Sequence, residues 1–434
     1  MRIALIGQEI PTLLPAILAD LLFAGGERDA EVRLEEENPA MRDVLQGYAE
    51  AILRRAGGTG RFQASGDRAE VLRGADCVLY AGDCQAASRF GMDRSALGSD
   101  AEGDPGLTDQ ARVNGGLGGL LHTLRAGGEV LRLCEAMDAG CPEALVINLG
   151  QPVARTTEIF LQRGYRCLGL GRTPLKGPGG LEAISRQMHA VPEKVKATIA
   201  GLPGFAFLLE MMDGRRDLMP KVRRAVKNGD MGRLCRRWLD WWDAVAVGDV
   251  TDHAAFLPAQ EDYIPEERPA FGESVEKRKE RILFMNTVRE KGAEDREGAM
   301  AQLLLLSRVP PIRPMKLALA VLRGETADIP AVTRRNGREL PQLPEEAVIE
   351  AELSLREGAE ASHGTALPPA LAEVLRAVDE TNRLAARAAT GDRQALRECV
   401  ETDPALEGLD RLYCMDVVEA LIRLHEDVLG DRFG

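Results

Sequence analysis

Three stretches of the chain have the residue types and spacing of a phosphate or ribose contact. The first is Gly7-Gln8-Glu9-Ile10-Pro11. It follows the apolar run Arg2-Ile3-Ala4-Leu5-Ile6 and precedes Leu13, Leu14, Ile17, Leu18, Leu21 and Leu22, which recur at helical spacing. A glycine turn between a strand and a helix is where a dinucleotide's pyrophosphate meets backbone N–H groups. Gly7 is the candidate contact. The rest of the turn departs from a phosphate cradle, which needs several glycines. Glu9 sets a negative charge where the diphosphate would sit, and Pro11 removes a donor. The second stretch is Asn114-Gly115-Gly116-Leu117-Gly118-Gly119, which leads into a helix expected over 120–137. Its glycines would let backbone approach a ligand, which would meet the positive end of that helix. Gly116, Gly118 and Gly119 are therefore cofactor-binding candidates. The third is Glu35-Glu36-Glu37, after a strand expected over 31–34. An acid there would hold ribose hydroxyls, with Glu36 the best placed. A solvated charge run opening a helix at Asn38-Pro39 explains it equally well.

The other reactive side chains are less patterned. His122 lies on the helix after the glycine run, where a core or surface role outweighs a pocket role. His189, His363 and His425 have no cysteine or carboxylate at ligand spacing. Trp238 and Trp242 share one face of a helix expected over 221–245, a core face by default and a sugar-stacking platform otherwise. Asp and Glu are plentiful, yet no spacing selects a catalytic pair.

Composition narrows the function classes. The chain has 434 residues, 45% of them hydrophobic, and a formal net charge of -13. That charge disfavours nucleic acid and anionic membrane as partners. No run approaches the ~18 apolar residues of a membrane span. The first strand begins at residue 2, leaving no signal-peptide architecture. Eight cysteines lack CxxC spacing, which reads as reduced thiols and a cytoplasmic location.

The elements that would position these groups alternate at first. Strands are expected near 2–6, 31–34, 62–64, 75–80, 144–148 and 166–170, with helices over 41–55, 67–73, 120–137 and 154–163. Residues 82–120 read as a long Gly-, Asp- and Ser-rich loop. This is the pattern of an α/β fold with a Rossmann-like, doubly wound parallel sheet over 1–173. After that the pattern changes. Helices are expected over 191–200, 221–245, 274–291, 300–306, 314–322, 371–390, 393–400 and 412–429, with strands near 205–210 and within 327–352. Residues 174–434 thus form a mixed α+β, mostly helical, substrate- or oligomerisation-type domain.

Taken together, several segments resemble the family 4 glycoside hydrolases, the NAD- and metal-dependent α-glucosidases, 6-phosphoglucosidases and galacturonidases. Gly116-Leu117-Gly118-Gly119 with Thr123-Leu124-Arg125 resembles the family's GPGG…LR segment. Asn148-Leu149-Gly150-Gln151-Pro152 resembles its N-x-TNP turn, and Gly169-Leu170-Gly171-Arg172-Thr173 its GLCHS segment. Ala200-Gly201-Leu202-Pro203-Gly204-Phe205 resembles the start of its AGLNHxxW segment. Asn336-Gly337, Leu343-Pro344, Val348-Ile349-Glu350, Leu367-Pro368, Ala389-Thr390-Gly391-Asp392-Arg393 and Asp403-Pro404 continue the likeness over nearly the whole chain.

The resemblance implies a site and a mechanism. In the family, NAD oxidises the sugar 3-hydroxyl, a divalent metal acidifies the neighbouring C–H, a tyrosine removes that proton, and the glycosidic oxygen leaves by elimination. The metal ligands are the cysteine of GLCHS and the histidine of AGLNH. Here those positions are Gly171 and Gly204, with Arg172 and Pro203 beside them, so no divalent metal is expected. His253 matches a family histidine, and Ala255 replaces the glutamate that accompanies it. Tyr263, the nearest tyrosine after Leu257-Pro258, is the candidate catalytic base. A surviving sugar cleft would be lined by Arg125, Asn148, Gln151, Arg172 and His253, and its arginines would suit an acidic or phosphorylated ligand. The family's habit also implies a homo-oligomer. Three functions compete. One is a divergent family 4 glycosidase hydrolysing O-glycosidic bonds in carbohydrate metabolism, with NAD as its compatible cofactor. The second is a non-catalytic homologue that binds a sugar, a nucleotide or a protein. The third is a metal-independent NAD-dependent sugar dehydrogenase, which would need a working phosphate loop.

Overall fold

The computed structural model describes residues 1–82, 84–98, 110, 112–171, 174–175, 179–258, 283, 313–357, 359–362 and 364–433. Its first six strands are β1 (Arg2–Ile6), β2 (Glu31–Glu35), β3 (Arg61–Ser65), β4 (Cys77–Tyr80), β5 (Leu145–Asn148) and β6 (Cys167–Gly169). They pair in parallel in the order β3-β2-β1-β4-β5-β6, the doubly wound order of a dinucleotide-binding sheet. The connecting helices are α1 (Ile10–Ala19), α2 (Pro39–Ala56), α3 (Arg68–Leu72), α4 (Ala86–Gly98), α5 (Gly116–Gly140) and α6 (Val153–Gln162). Helices cover both faces, so both sides of each central strand are apolar. Ala4, Ile6, Val78 and Val146 face α5, α6 and the C-terminal helices. Ile3, Leu5, Cys77, Leu79 and Ile147 face α1 and α2.

The sheet does not end at β6. It continues through β11 (Ala327–Arg335), β12 (Val348–Arg356), β7 (Val195–Leu202), β8 (Phe205–Asp213) and β10 (Val245–Val247), each antiparallel to its neighbour. β9 (Arg216–Asp217) and β13 (Ala359–Ala361) flank this path. One row of facing residues crosses both halves: Ile6, Tyr80, Asn148, Gly169, Thr333, Glu350, Gly201, Ala206 and Val247. Directly paired residues point their side chains to the same side of a sheet, so this row is one continuous surface. A third core lies under the antiparallel half. It packs Phe205, Phe207, Trp238, Leu371 and Leu375 between the strands and helices α8 (Met219–Asn228), α9 (Arg233–Trp242) and α12 (Pro369–Ala388).

Several elements differ from the sequence expectation. The helix expected over 191–200 is strand β7. Its β-branched Val195, Thr198 and Ile199 pair with β8 in a hairpin, and that tertiary pairing outweighs a weak helical period. The helix expected over 221–245 is broken in two. Gly229 closes α8 at φ 89° and Gly232 precedes α9 at φ 86°, a left-handed backbone that glycine adopts without cost. Within 82–120, helix α4 replaces part of the expected loop. The helices expected over 274–291 and 300–306 lie outside the described residues, apart from Leu283. All eight cysteines are buried and free of disulfides. Among the described residues, no helix is long and apolar enough to cross a membrane.

One buried acid ties together two segments far apart in the chain. Asp20, just after α1, accepts hydrogen bonds from the backbone N–H groups of Met315 (2.7 Å) and Lys316 (3.0 Å) at the start of α11 (Pro314–Leu322). It thereby caps a helix that its own neighbours cannot cap. Asp20→Ala is expected to lower stability by about 1–2 kcal/mol in denaturant unfolding. Asp20→Asn, which keeps an acceptor oxygen, should recover most of that loss.

Candidate functional site

The turn after β1 is shaped by the protein's own backbone. Gly7 has φ 123°, and a Cβ there would collide with the carbonyl of Ala81. The Glu9 N–H donates to Ala81 O (3.1 Å) and the Ile10 N–H to Gly7 O (3.1 Å), so two donors of the turn are already used. The Gln8 side chain donates to Glu129 Oε1 on α5 (3.1 Å). Glu129 is buried and faces Tyr80, whose phenol is raised well above its usual range by burial and by that carboxylate. Glu36 uses its carboxylate to accept the Asn38 N–H at the start of α2 (2.9 Å). The acid at the end of β2 is Glu35, which holds Arg68 through two bonds of 2.7 and 3.1 Å. The frame of a dinucleotide site is present, but its lining is acidic and its cation is paired.

The glycine run is packed in the same way. The Gly118 N–H donates to Gln110 O (2.9 Å), and a Cβ on Gly118 would press on the Arg112 backbone. The Gly119 N–H donates to Gly115 O (3.1 Å), and a Cβ there would come within 2.6 Å of the Asn114 carbonyl carbon. Gly116, at φ 59°, leaves room for the Gln110 side chain. These glycines allow Gln110, Arg112 and Asn114 to lie directly on the start of α5.

The residues expected to line a sugar cleft are not gathered in one place. Arg125 is buried and paired with Asp93 of α4 at 3.2 and 2.9 Å, and Asp93 also meets His425 Nε2 at 2.5 Å. Asn148 is buried at the end of β5, where it donates to Thr156 Oγ1 and Thr157 Oγ1 (2.9 Å each) and accepts from Gly150 N–H (2.8 Å). Gln151, next in that turn, is exposed. His253 sits between Ala206 O (2.8 Å from Nε2) and Asp249 O (2.9 Å from Nδ1), with its ring 5.4 Å from that of Trp238. Trp238 and Trp242 stack 6.0 Å apart in the core. Arg172 and Tyr263 lie outside the described residues. His122 is buried beside Arg125, and burial pushes its imidazole down to about 4.

A different cluster forms around Gly204, in the turn between β7 and β8. Gly204 has φ 77°, and a Cβ on it would lie 3.6 Å from Asn114 Nδ2 and 3.6 Å from the Phe256 ring. Asn114 Nδ2 donates to Asp252 Oδ1 (3.3 Å) on α10 (Val250–Ala254). Gly115 lies against the carbonyl of Ala255, which seats α10 on the start of α5. Beneath them is Glu350 of β12, 1% exposed, with neither oxygen hydrogen-bonded. Burial pushes Glu350 up to about 8. The Gly204 N–H, which approaches it short of hydrogen-bond geometry, opposes that shift, and the Asp252 carboxylate adds to it. Burial, then the Asp249 charge, pushes Asp252 up to about 7. Asn114, Gly204 and Asp252 are half-buried. Sequence reasoning named Asn114 only at the head of the glycine run and Glu350 only within the family likeness, and did not select Asp252. The available signal was an acid, Glu350, set between the apolar Ile349 and Ala351 of a strand.

These residues do not fit the metal implied by the resemblance. Gly171, just past β6, and Gly204 have no side chain to donate. Among the described residues, no group of three or more His, Cys, Asp or Glu side chains is arranged to hold an ion.

Comparison with known proteins gives a consistent family. Residues 2–175 match the profile of the family 4 glycosyl hydrolases, and residues 199–406 that of the family 4 glycosyl hydrolase C-terminal domain. An α-glucosidase from Erwinia rhapontici is 27% identical over 154 residues, 36% of this chain and 33% of that protein. The match therefore spans about a third of that relative's length. Two solved structures share the fold over almost their whole length. A 6-phospho-α-glucosidase from gut microorganisms, in complex with NAD and Mn²⁺, has a TM-score of 0.74 at 14% identity, covering 98% of each chain. The 6-phospho-β-glucosidase of Thermotoga maritima, with NAD and glucose-6-phosphate, has a TM-score of 0.70 at 16% identity, covering 99% of each.

The placement of Arg125 has a direct consequence for stability. Removing one partner of a buried pair leaves an uncompensated charge. Arg125→Ala is expected to destabilise the protein by about 3–5 kcal/mol in denaturant unfolding. A cleft-lining arginine would leave stability nearly unchanged.

Proposed function

The chain belongs to family 4 of the glycosyl hydrolases, and on that premise we propose that it binds a sugar or glycoside in the pocket beside Gly204 without the family's metal-dependent cleavage. It is a glycosidase-like protein of carbohydrate metabolism. The observation that carries the proposal is glycine at both expected ligand positions, Gly171 and Gly204. A Lewis acid that stabilises an enediolate is worth several kcal/mol, and no donor at either position could hold one. The acidic lining of the β1 turn supports the same reading for the dinucleotide. A diphosphate there would face Glu9 and Glu129 with Arg68 already committed to Glu35. Sugar phosphates and NAD, named for the solved relatives, set the ligand class to try first. Residues 1–173 are read as the frame of the cofactor-type half and 174–434 as the half that completes the pocket. Assembly as a homo-oligomer belongs to the same proposal.

Thermal unfolding with added ligands tests it. A ligand at 100 times its Kd adds ~2.7 kcal/mol to the folded state and visibly raises Tm. Glucose-6-phosphate is expected to raise Tm. Mn²⁺ is expected to leave it unchanged, with or without NAD. A Mn²⁺ shift that depends on NAD would overturn the loss of the metal step. A shift with NAD alone would show that the turn at Gly7 still accepts a diphosphate.

A further inference from the structure

The helix α14 (Arg411–Leu424) has two apolar faces and packs only one of them. Cys414, Val418, Leu421 and Ile422 are buried against α5 and α13 (Arg393–Thr402). A second row, Tyr413, Val417, Ala420 and Leu424, is spaced by four, three and four residues, which sets it in one stripe along the helix. Tyr413 is 51% and Leu424 41% exposed, Ala420 is exposed and Val417 is half-buried. Among the described residues six large apolar side chains are exposed, and three of them, Leu412, Tyr413 and Leu424, lie on this 14-residue helix. Single exposed apolar residues are ordinary, whereas a stripe of them rimmed by charge marks a surface that meets another surface. The rim here is Asp416 and Arg423, seven residues apart on one flank of the stripe. Both are exposed, and among the described residues neither has an ion-pair partner. Glu419, by contrast, is held within the chain by Arg393 of α13 (2.6 Å).

We propose that this face is an interface between two copies of the chain, in which the α14 helices pair antiparallel about a two-fold axis. It rests on the homo-oligomeric assembly proposed above and gives that assembly a contact surface. A helix pairs with its own copy about such an axis when its contact row matches itself on reversal. This row does. Reversal sets Tyr413 opposite the partner's Leu424 and Val417 opposite the partner's Ala420, so each layer joins a larger side chain to a smaller one. The small Ala420 lies next to the axis, where the helices must come closest. The same reversal brings Asp416 beside the partner's Arg423, and symmetry repeats the pair on the other side of the axis. Two residues thus make two opposite-charge contacts. A parallel pairing would set each stripe residue against its own copy and leave both charges without a counter-ion. The helix is about 21 Å long, which places the contact at the small end of specific interfaces and makes the dimer reversible.

Analytical ultracentrifugation of the full chain tests the pairing. At about 100 μM, well above a micromolar Kd, the wild-type chain is expected to sediment as a dimer or as an even-numbered assembly built from it. Asp416→Arg and Arg423→Asp each place like charges together on both sides of the axis, and each is expected to weaken association about 10-fold or more. Both positions are exposed, so the far-ultraviolet circular dichroism of the variants should match wild type. An equimolar mixture of the two variants is expected to recover wild-type association, because one copy then presents two arginines to two aspartates on the other. Leu424→Asp removes an apolar anchor and is expected to weaken association about 30-fold, with no recovery on mixing. Association untouched by Asp416→Arg and Arg423→Asp overturns this interface and leaves assembly to another face. Loss in both variants without recovery in the mixture overturns the antiparallel pairing. A wild-type chain that stays monomeric overturns both this inference and the homo-oligomer, while the sugar-binding reading keeps its own test.

Discussion

Gly169 lies opposite Thr333 where the parallel sheet meets the antiparallel one. A Cβ on Gly169 would come within 2.8 Å of both Thr157 Oγ1 and Thr333 Cβ. The missing side chain lets β11 close on β6, and the rest of the molecule depends on that approach. Without it, the two half-sheets would lack a common register. With it, Tyr80 and Asn148 on one side share a row with Glu350 and Gly201 on the other. The dinucleotide-type half and the cluster around Gly204 are thereby built on one continuous sheet.

The two ends of that row handle negative charge differently. At the dinucleotide end, Arg68 is neutralised by Glu35, Arg125 by Asp93, and Gln8 is held by Glu129. A diphosphate entering there would meet carboxylates and few unclaimed N–H donors, the reverse of what an anion site offers. At the Gly204 end, among the described residues, neither oxygen of Glu350 has a hydrogen-bond partner. A buried carboxyl in that position is stable chiefly as the neutral acid, because desolvation penalises the charged form.

The fold was largely legible before any coordinates. The runs Arg2–Ile6, Cys77–Tyr80 and Leu145–Asn148 are apolar on both faces, which only a helix-covered parallel sheet requires. The failures share one cause. Val195–Leu202 carries a period that a helix or a strand could use, and its hairpin partner at Phe205–Asp213 decided between them. Local pattern cannot weigh a pairing that exists only after folding. The break at Gly229 to Gly232, by contrast, was present in the sequence as two glycines and was outweighed by the helical period around them.

The sequence by itself determined the family frame, the alternation of strands and helices in the first half and the glycines at 171 and 204, because each follows from residue identity and local periodicity. It could not show which side chains hold Arg125 and Asn148. Their partners Asp93, Thr156 and Thr157 are found only once helices α4 and α6 are docked. Nor could it bring Asn114, Asp252 and Glu350 together, since these residues lie on three elements far apart in the chain. Ionisable groups acquire their chemistry from burial and from neighbours. Both are properties of the packed chain, and tertiary structure alone decided them.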